Sequence, residues 1–163
     1  MASAAGNRLG VRQDRVRPQA RLQEAAQGGL KVLVDTSVWS LALRRRQPNR
    51  EDAAVAGLRQ LISAFRVAMI GPIRQELLSG IREEGQFRTL QEKLRAFPDL
   101  QIETDDYKIA ATFFNRCRSK GVQGSNTDFL LCAFSHRRSM PIFTTDKDFE
   151  GYNRILGITL HAA

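Results

Sequence analysis

Cysteine and histidine are scarce, two of each in 163 residues, and where they fall excludes several chemistries. Cys117 and Cys132 lie in apolar, helix-like surroundings without CxxC or Cys/His ligand spacing. They read as buried free thiols in a reducing compartment, not as a disulfide or a zinc centre. His136 and His161 lack partner spacing for zinc, and a surface helix and a chain end are their expected settings. Long hydrophobic runs are also missing. Nothing approaches the roughly 18 apolar residues of a membrane span, and no apolar signal segment follows Met1, so the expectation is a cytoplasmic protein with no membrane partner. Internal repeats are absent as well.

Positive charge is plentiful. Lys and Arg number 25 against 17 Asp and Glu, a net +8 that favours a polyanionic partner such as nucleic acid. With 42% hydrophobic and 26% charged residues, the chain has the composition and length of one domain with a real core. Residues 1–29 carry five arginines against Asp14 and Glu24, so +3 of the charge is local and +5 belongs to the remainder. This stretch has Pro18 in its middle, Gly28-Gly29 at its end and no apolar face. It reads as a mobile basic extension, either a disordered leader or an arm for RNA phosphates. Residues 30–163 are expected to form the folded domain.

Within that domain, Leu30 to Val34 has the short apolar run of a buried parallel strand, stopping at Asp35. Thr36 and Ser37 offer capping hydroxyls for a helix packed through Val38, Trp39, Leu41 and Leu43. The basic turn Arg44-Arg45-Arg46 follows, then a helix from Glu51 to Phe65 and a strand from Arg66 to Ile70. Gly71-Pro72 introduces a helix over Ile73 to Ile81 that carries Glu76. Further helices are expected from Phe87 to Phe97, after a cap at Thr104, and from Phe129 to Phe134, the last opened by Asp128. Leu100 to Glu103, Pro141 to Thr145 and Gly157 to Leu160 read as strands. Strands alternating with helices define a three-layer α/β domain with a mostly parallel central sheet flanked by helices.

Four carboxylates take equivalent places in that scheme. Asp35 and Asp146 stand just past strands, Glu76 one turn into a helix after a strand, and Asp128 at a helix start. Crossovers in a parallel sheet bring strand ends to one edge, where ligands bind. Each acid also has a local explanation. Asp35, Asp146 and Asp148 suit helix caps and first turns, Asp128 is the third residue after Ser125 as in a capping box, and Glu76 could be solvated beside Arg74. Jointly those explanations leave the gathering at one mouth unaccounted for. Clustered carboxylates repel, and a hard divalent cation, Mg²⁺ or Mn²⁺, relieves the repulsion. On a basic protein, such a pocket points to phosphodiester hydrolysis. Arg44, Arg45, Arg46, Arg74, Arg82, Lys120, Arg137 and Arg138 are candidates for holding the strand.

Asp35-Thr36-Ser37-Val38-Trp39, Arg74-Gln75-Glu76-Leu77-Leu78-Ser79-Gly80-Ile81, Asn126-Thr127-Asp128 and Phe143-Thr144-Thr145-Asp146-Lys147-Asp148-Phe149 resemble, in order, the four signature blocks of PIN-domain ribonucleases. The likeness is strongest to the VapC-type toxins of toxin–antitoxin pairs and spans Leu30 to about Leu160. It implies a Mg²⁺- or Mn²⁺-dependent endoribonuclease with Asp35, Glu76, Asp128 and Asp146 as an acidic quartet. Asp35 and Asp128 would be the principal metal ligands, Glu76 and Asp146 completing the site directly or through water. Ser37 and Thr144 would orient waters or carboxylates. The resemblance also implies a homodimer and a cognate antitoxin that lays a helix in an apolar groove. A haloacid dehalogenase-type phosphatase needs a second aspartate where Ser37 stands, which argues against it. A receiver domain lacks its acidic pair upstream of Asp35. A housekeeping PIN nuclease in RNA processing and a non-catalytic RNA- or protein-binding PIN-like domain are the remaining alternatives.

Overall fold

The computed structural model describes residues 29–43 and 53–162. The expected extension over residues 1–29 therefore lies, apart from Gly29, outside the described residues, as do Arg44, Arg45 and Arg46.

Three short parallel strands form the sheet, β1 (Val32–Val34), β2 (Val67–Ala68) and β3 (Ile142–Phe143), in the order β2-β1-β3. Seven helices accompany them among the described residues: α1 (Thr36–Leu43), α2 (Ala53–Ser63), α3 (Gly71–Ser79), α4 (Glu84–Leu94), α5 (Thr104–Arg118), α6 (Asn126–Arg138) and α7 (Asp148–Leu156). β1 is central, pairing Val32 with Val67 and Leu33 with both Ala68 and Ile142. A central strand needs apolar residues on both faces, which is why Val32, Leu33 and Val34 show no alternation and are all fully buried. This is the expected α/β architecture, a parallel sheet flanked by helices. No helix among the described residues is long and apolar enough to cross a membrane.

The sheet is shorter than the sequence suggests. Arg66 to Ile70 contributes a two-residue strand, and Met69 adds a single parallel bridge to Asp99. That bridge replaces the strand expected over Leu100 to Glu103. Leu160 likewise makes one bridge, to Ile142, in place of a strand over Gly157 to Leu160. Apolar, β-branched stretches declare that a segment fits a sheet, but ladder length depends on the neighbour.

Helix starts differ in an instructive way. α3 opens with Gly71-Pro72, where the missing proline N–H goes unneeded. α4 begins at Glu84, three residues ahead of the expected Phe87, because the Glu83 carboxylate accepts from the N–H groups of Gly85 and Gln86. Thr104 is the first residue of α5 and not its cap; the N-cap is Glu103, whose N–H donates to Asp106 Oδ2 at 2.8 Å. α6 is capped by Ser125, and α7 ends at Gly157, whose φ of 68° is the left-handed conformation that glycine adopts without strain.

The core is continuous, and α5 packs along α6 as its most extensive helix contact. Cys117 and Cys132 are buried free thiols, as expected. Seven consecutive residues of α6, Phe129 to Ser135, are buried. Fully buried Asp106 ties α5 to the far end of α6, accepting from Arg137 Nη1 at 2.9 Å and Arg138 Nη1 at 2.8 Å. Arg138 also lies 3.7 Å above the Phe134 ring.

Candidate active site

Asp35 follows β1 directly, and its backbone carbonyl accepts from Val38 and Trp39 at the start of α1. The carboxylate is buried, with 7% of its surface exposed. Its Oδ2 accepts from Ser37 Oγ at 2.6 Å, from Thr144 Oγ1 at 2.9 Å and weakly from Ser37 N at 3.3 Å. Ser37 and Thr144 are themselves 3.2 Å apart, and Ser37 Oγ accepts from the Thr145 N–H. The end of β1 is thereby stitched to the segment after β3. The hydroxyls expected to cap α1 serve otherwise: Ser37 turns to Asp35, and Thr36 Oγ1 donates to Glu76 Oε2 at 2.7 Å. The cap here is Asp35 itself.

Glu76, on α3, is exposed and does not pair with Arg74. Arg74 instead donates to Asp99 at 2.9 Å and to the carbonyls of Leu94 and Phe97. Asp146 lies past β3, with its N–H donating to Thr144 Oγ1 and its Oδ1 accepting from the Asp148 N–H. Asp148 opens α7 and is exposed, in keeping with a first-turn role.

Asp128 is the third residue of α6. It forms the reciprocal capping box that the spacing from Ser125 foreshadows, with Asp128 N donating to Ser125 Oγ at 3.0 Å and Ser125 N donating to Asp128 Oδ2 at 2.8 Å. Capping does not remove it from the acidic group. Burial pushes its carboxyl above the usual range, the Ser125 hydrogen bonds oppose that, and the charges of Asp35 and Asp146 add to the rise. The three aspartates feel one another across the mouth of the sheet, and Thr36 links Glu76 to the same strand end.

A common pattern unites the four acids. Asp35 Oδ2, Glu76 Oε2, Asp128 Oδ2 and Asp146 Oδ1 each accept a hydrogen bond, while the second oxygen of each accepts none from a described residue. No lysine or arginine among the described residues forms an ion pair with any of them. No group of three or more acidic, histidine or cysteine side chains among the described residues is disposed to hold a metal ion. Mg²⁺ does not require such a group, since it is commonly held by one or two carboxylates with water and phosphate completing its octahedron. Carboxylates with one oxygen uncommitted have the donor chemistry of a hard cation held in that mode, by one or two of them at a time.

Other candidate residues are placed elsewhere. Arg137 and Arg138, expected to hold nucleic acid, are engaged with Asp106 and, for Arg137, with Glu103. Arg82 and Lys120 form no ion pair among the described residues. His136 is exposed and meets Phe113 edge-on, and His161 meets Phe143, neither beside a second histidine. Tyr152 carries no signal in the sequence that sets it apart from core. Fully buried on α7, it donates to the Gln123 carbonyl at 3.1 Å and stands 3.5 Å from Asp128 Oδ2. Burial and then the charge of Asp128 push its phenol up.

A parallel sheet whose strand ends converge on unpaired carboxylates defines an α/β domain with an acidic cleft. Residues 32–155 match the PIN domain family model. The chain is 30% identical over 131 residues to VapC ribonuclease Mb1587 of Mycobacterium bovis and to Ribonuclease VapC11 of Mycobacterium tuberculosis, covering 78% of this chain and 95% of each relative. Among solved structures, the fold is similar to the crystal structure of FitAcB from Neisseria gonorrhoeae, with a TM-score of 0.65 and 23% identity over 80% of this chain and 96% of that one. It is also similar to VapBC2 from Rickettsia felis bound to a DNA fragment from their promoter, with a TM-score of 0.65 and 16% identity over 81% and 98%. The chain belongs to the PIN domain family.

Proposed function

We propose that this protein is a Mg²⁺- or Mn²⁺-dependent endoribonuclease, the toxin of a VapBC-type toxin–antitoxin pair, acting in the cytoplasm. The observation that carries the reading is the set of four carboxylates, each anchored through one oxygen and none neutralised by a basic side chain among the described residues. Asp35 and Asp128, the two less exposed members, would be the principal metal ligands. Glu76 and Asp146, both exposed, complete the site directly or through water. A bound ion of this kind supplies Lewis acidity, activating water and offsetting charge that develops on the phosphodiester. The chain's own part is orientation. Ser37 and Thr144 fix the Asp35 carboxylate, Thr36 fixes Glu76, and Thr144 steadies the backbone of Asp146.

The relatives named VapC ribonuclease support an RNA substrate, and the likeness to VapBC2 supports an antitoxin partner. A homodimer belongs to the same reading. Of the basic residues considered for strand binding, Arg82 and Lys120 are the described ones left to meet phosphates.

Cleavage of a fluorogenic RNA by wild type and Asp128→Asn, purified identically and assayed with Mg²⁺, with Mn²⁺ and with chelator, tests the proposal. Cleavage should require the metal and fall more than about a hundredfold in the variant, since losing a direct ligand should exceed the roughly 10–100-fold cost of losing an outer partner. Equal behaviour of both proteins in every condition would sink it.

A further inference from the structure

We propose that Tyr152 is a positioning residue for Asp128, fixing through the Gln123 carbonyl the loop whose Ser125 N–H holds one carboxylate oxygen, so that the other is left for the metal ion. The inference rests on the metal-dependent reading above. Asp128 Oδ2 lies between two groups, the Ser125 N–H at 2.8 Å and the Tyr152 hydroxyl at 3.5 Å. The phenol has one proton, and the shorter contact, 3.1 Å to the Gln123 carbonyl, takes it. Tyr152 therefore fixes the loop that carries Ser125 and flanks the carboxylate, without cancelling its charge.

The ring is not free to swing. It is fully buried, with Phe129 at 5.0 Å and Phe149 at 5.2 Å between ring centres. The loop has been left bare to receive it. A Cβ on Gly124 would overlap the Tyr152 oxygen, lie 2.8 Å from its Cζ and 3.0 Å from Phe129 Cε2. Gly124 and Tyr152 thus form a matched pair immediately before the Ser125–Asp128 box. Phenylalanine would fill the same core volume, so only the hydroxyl distinguishes positioning from packing.

The test is Mn²⁺ binding by calorimetry on wild type, Tyr152→Phe, Gly124→Ala and Asp128→Asn, with apo melting temperatures measured on the same samples. Tyr152→Phe should remain folded and bind Mn²⁺ about tenfold more weakly, the scale of lost outer hydrogen-bonding support at a metal site. Gly124→Ala, which disturbs the same contact from the loop, should weaken binding in the same direction. Wild type that binds Mn²⁺, with Tyr152→Phe binding within about twofold of it, overturns the positioning role alone. Unfolding of both Tyr152→Phe and Gly124→Ala overturns it in favour of a purely structural tyrosine. Wild type without Mn²⁺ affinity, or Asp128→Asn with undiminished affinity, overturns the metal-dependent reading and this inference with it.

Discussion

A hydroxyl can orient a carboxylate while leaving its negative charge intact, whereas a lysine or arginine would cancel that charge. Thr36, Ser37 and Thr144 act in the first way on Glu76 and Asp35. Asp128 shows the cost of the arrangement, since burial and two neighbouring aspartates hold its carboxyl above the ordinary range. A raised carboxyl destabilises the folded state once pH exceeds its unfolded value, near 4, and the cost is complete above its folded value. Asparagine removes that cost and can still accept from the Ser125 N–H. Asp128→Asn should accordingly melt at or above the wild-type temperature at pH 7 without metal, with the difference shrinking at pH 3. A drop of more than about 4 °C at pH 7 would show that the charged cap outweighs the repulsion. At this scale the placement of the four acids is legible in the sequence, Asp35 and Asp146 just past strands, Asp128 in the first turn of a helix and Glu76 within the helix that follows β2. The Thr36–Glu76 bond joins residues 40 apart, and Tyr152 reads as ordinary core on an amphipathic helix. Both depend on tertiary packing that no local pattern encodes.

Among the elements, α5 and α6 are joined by the most consequential polar cluster outside the cleft. Burial would push Asp106 up, but the hydrogen bond from Arg138, the Glu103 N–H and Arg137 together hold it at about 2. A carboxyl held below its unfolded range stabilises the fold above about pH 4. That contribution, on the order of 2 kcal/mol, fades as pH falls through about 2. Asp106→Asn should lower unfolding free energy at pH 7 by about 3 kcal/mol, because two guanidinium groups lose their shared anion. Urea melts from pH 7 down to pH 2 check this, and the gap between wild type and variant should close toward the acid end. A gap that persists unchanged at pH 2 contradicts the assignment. The sequence showed Asp105 and Asp106 as first-turn acids of a helix, which they are. It did not distinguish them, although Asp105 meets only Lys108 at the surface while Asp106 anchors the helix pair. Strand extents are not encoded locally for a similar reason, as the single bridges at Asp99 and Leu160 show. Pairing partners set how far a strand runs.

For the molecule as a whole, the basic surplus and the internal ion pairs have to be separated. Arg74, Arg137 and Arg138 contribute to the net charge yet are engaged within the fold, so a polyanion must be met by other cations. α6 connects the two polar regions, with Asp128 in its first turn at the cleft and Arg137 and Arg138 in its last turn clamped to Asp106. Between them no residue from Phe129 to Ser135 reaches solvent appreciably. Such a helix has no face from which it can peel away, and its backbone amides should exchange hydrogen for deuterium only when the entire domain opens. Exchange followed by mass spectrometry in low urea should show the 129–135 segment among the slowest, with a urea dependence equal to that of global unfolding. Exchange through a urea-independent local opening would contradict it. The helix that delivers an acid to the cleft would then be the last part of the molecule to let go. A population under thermal or chemical stress would hold intact sites and unfolded chains, and very few molecules carrying a damaged site on an otherwise folded body.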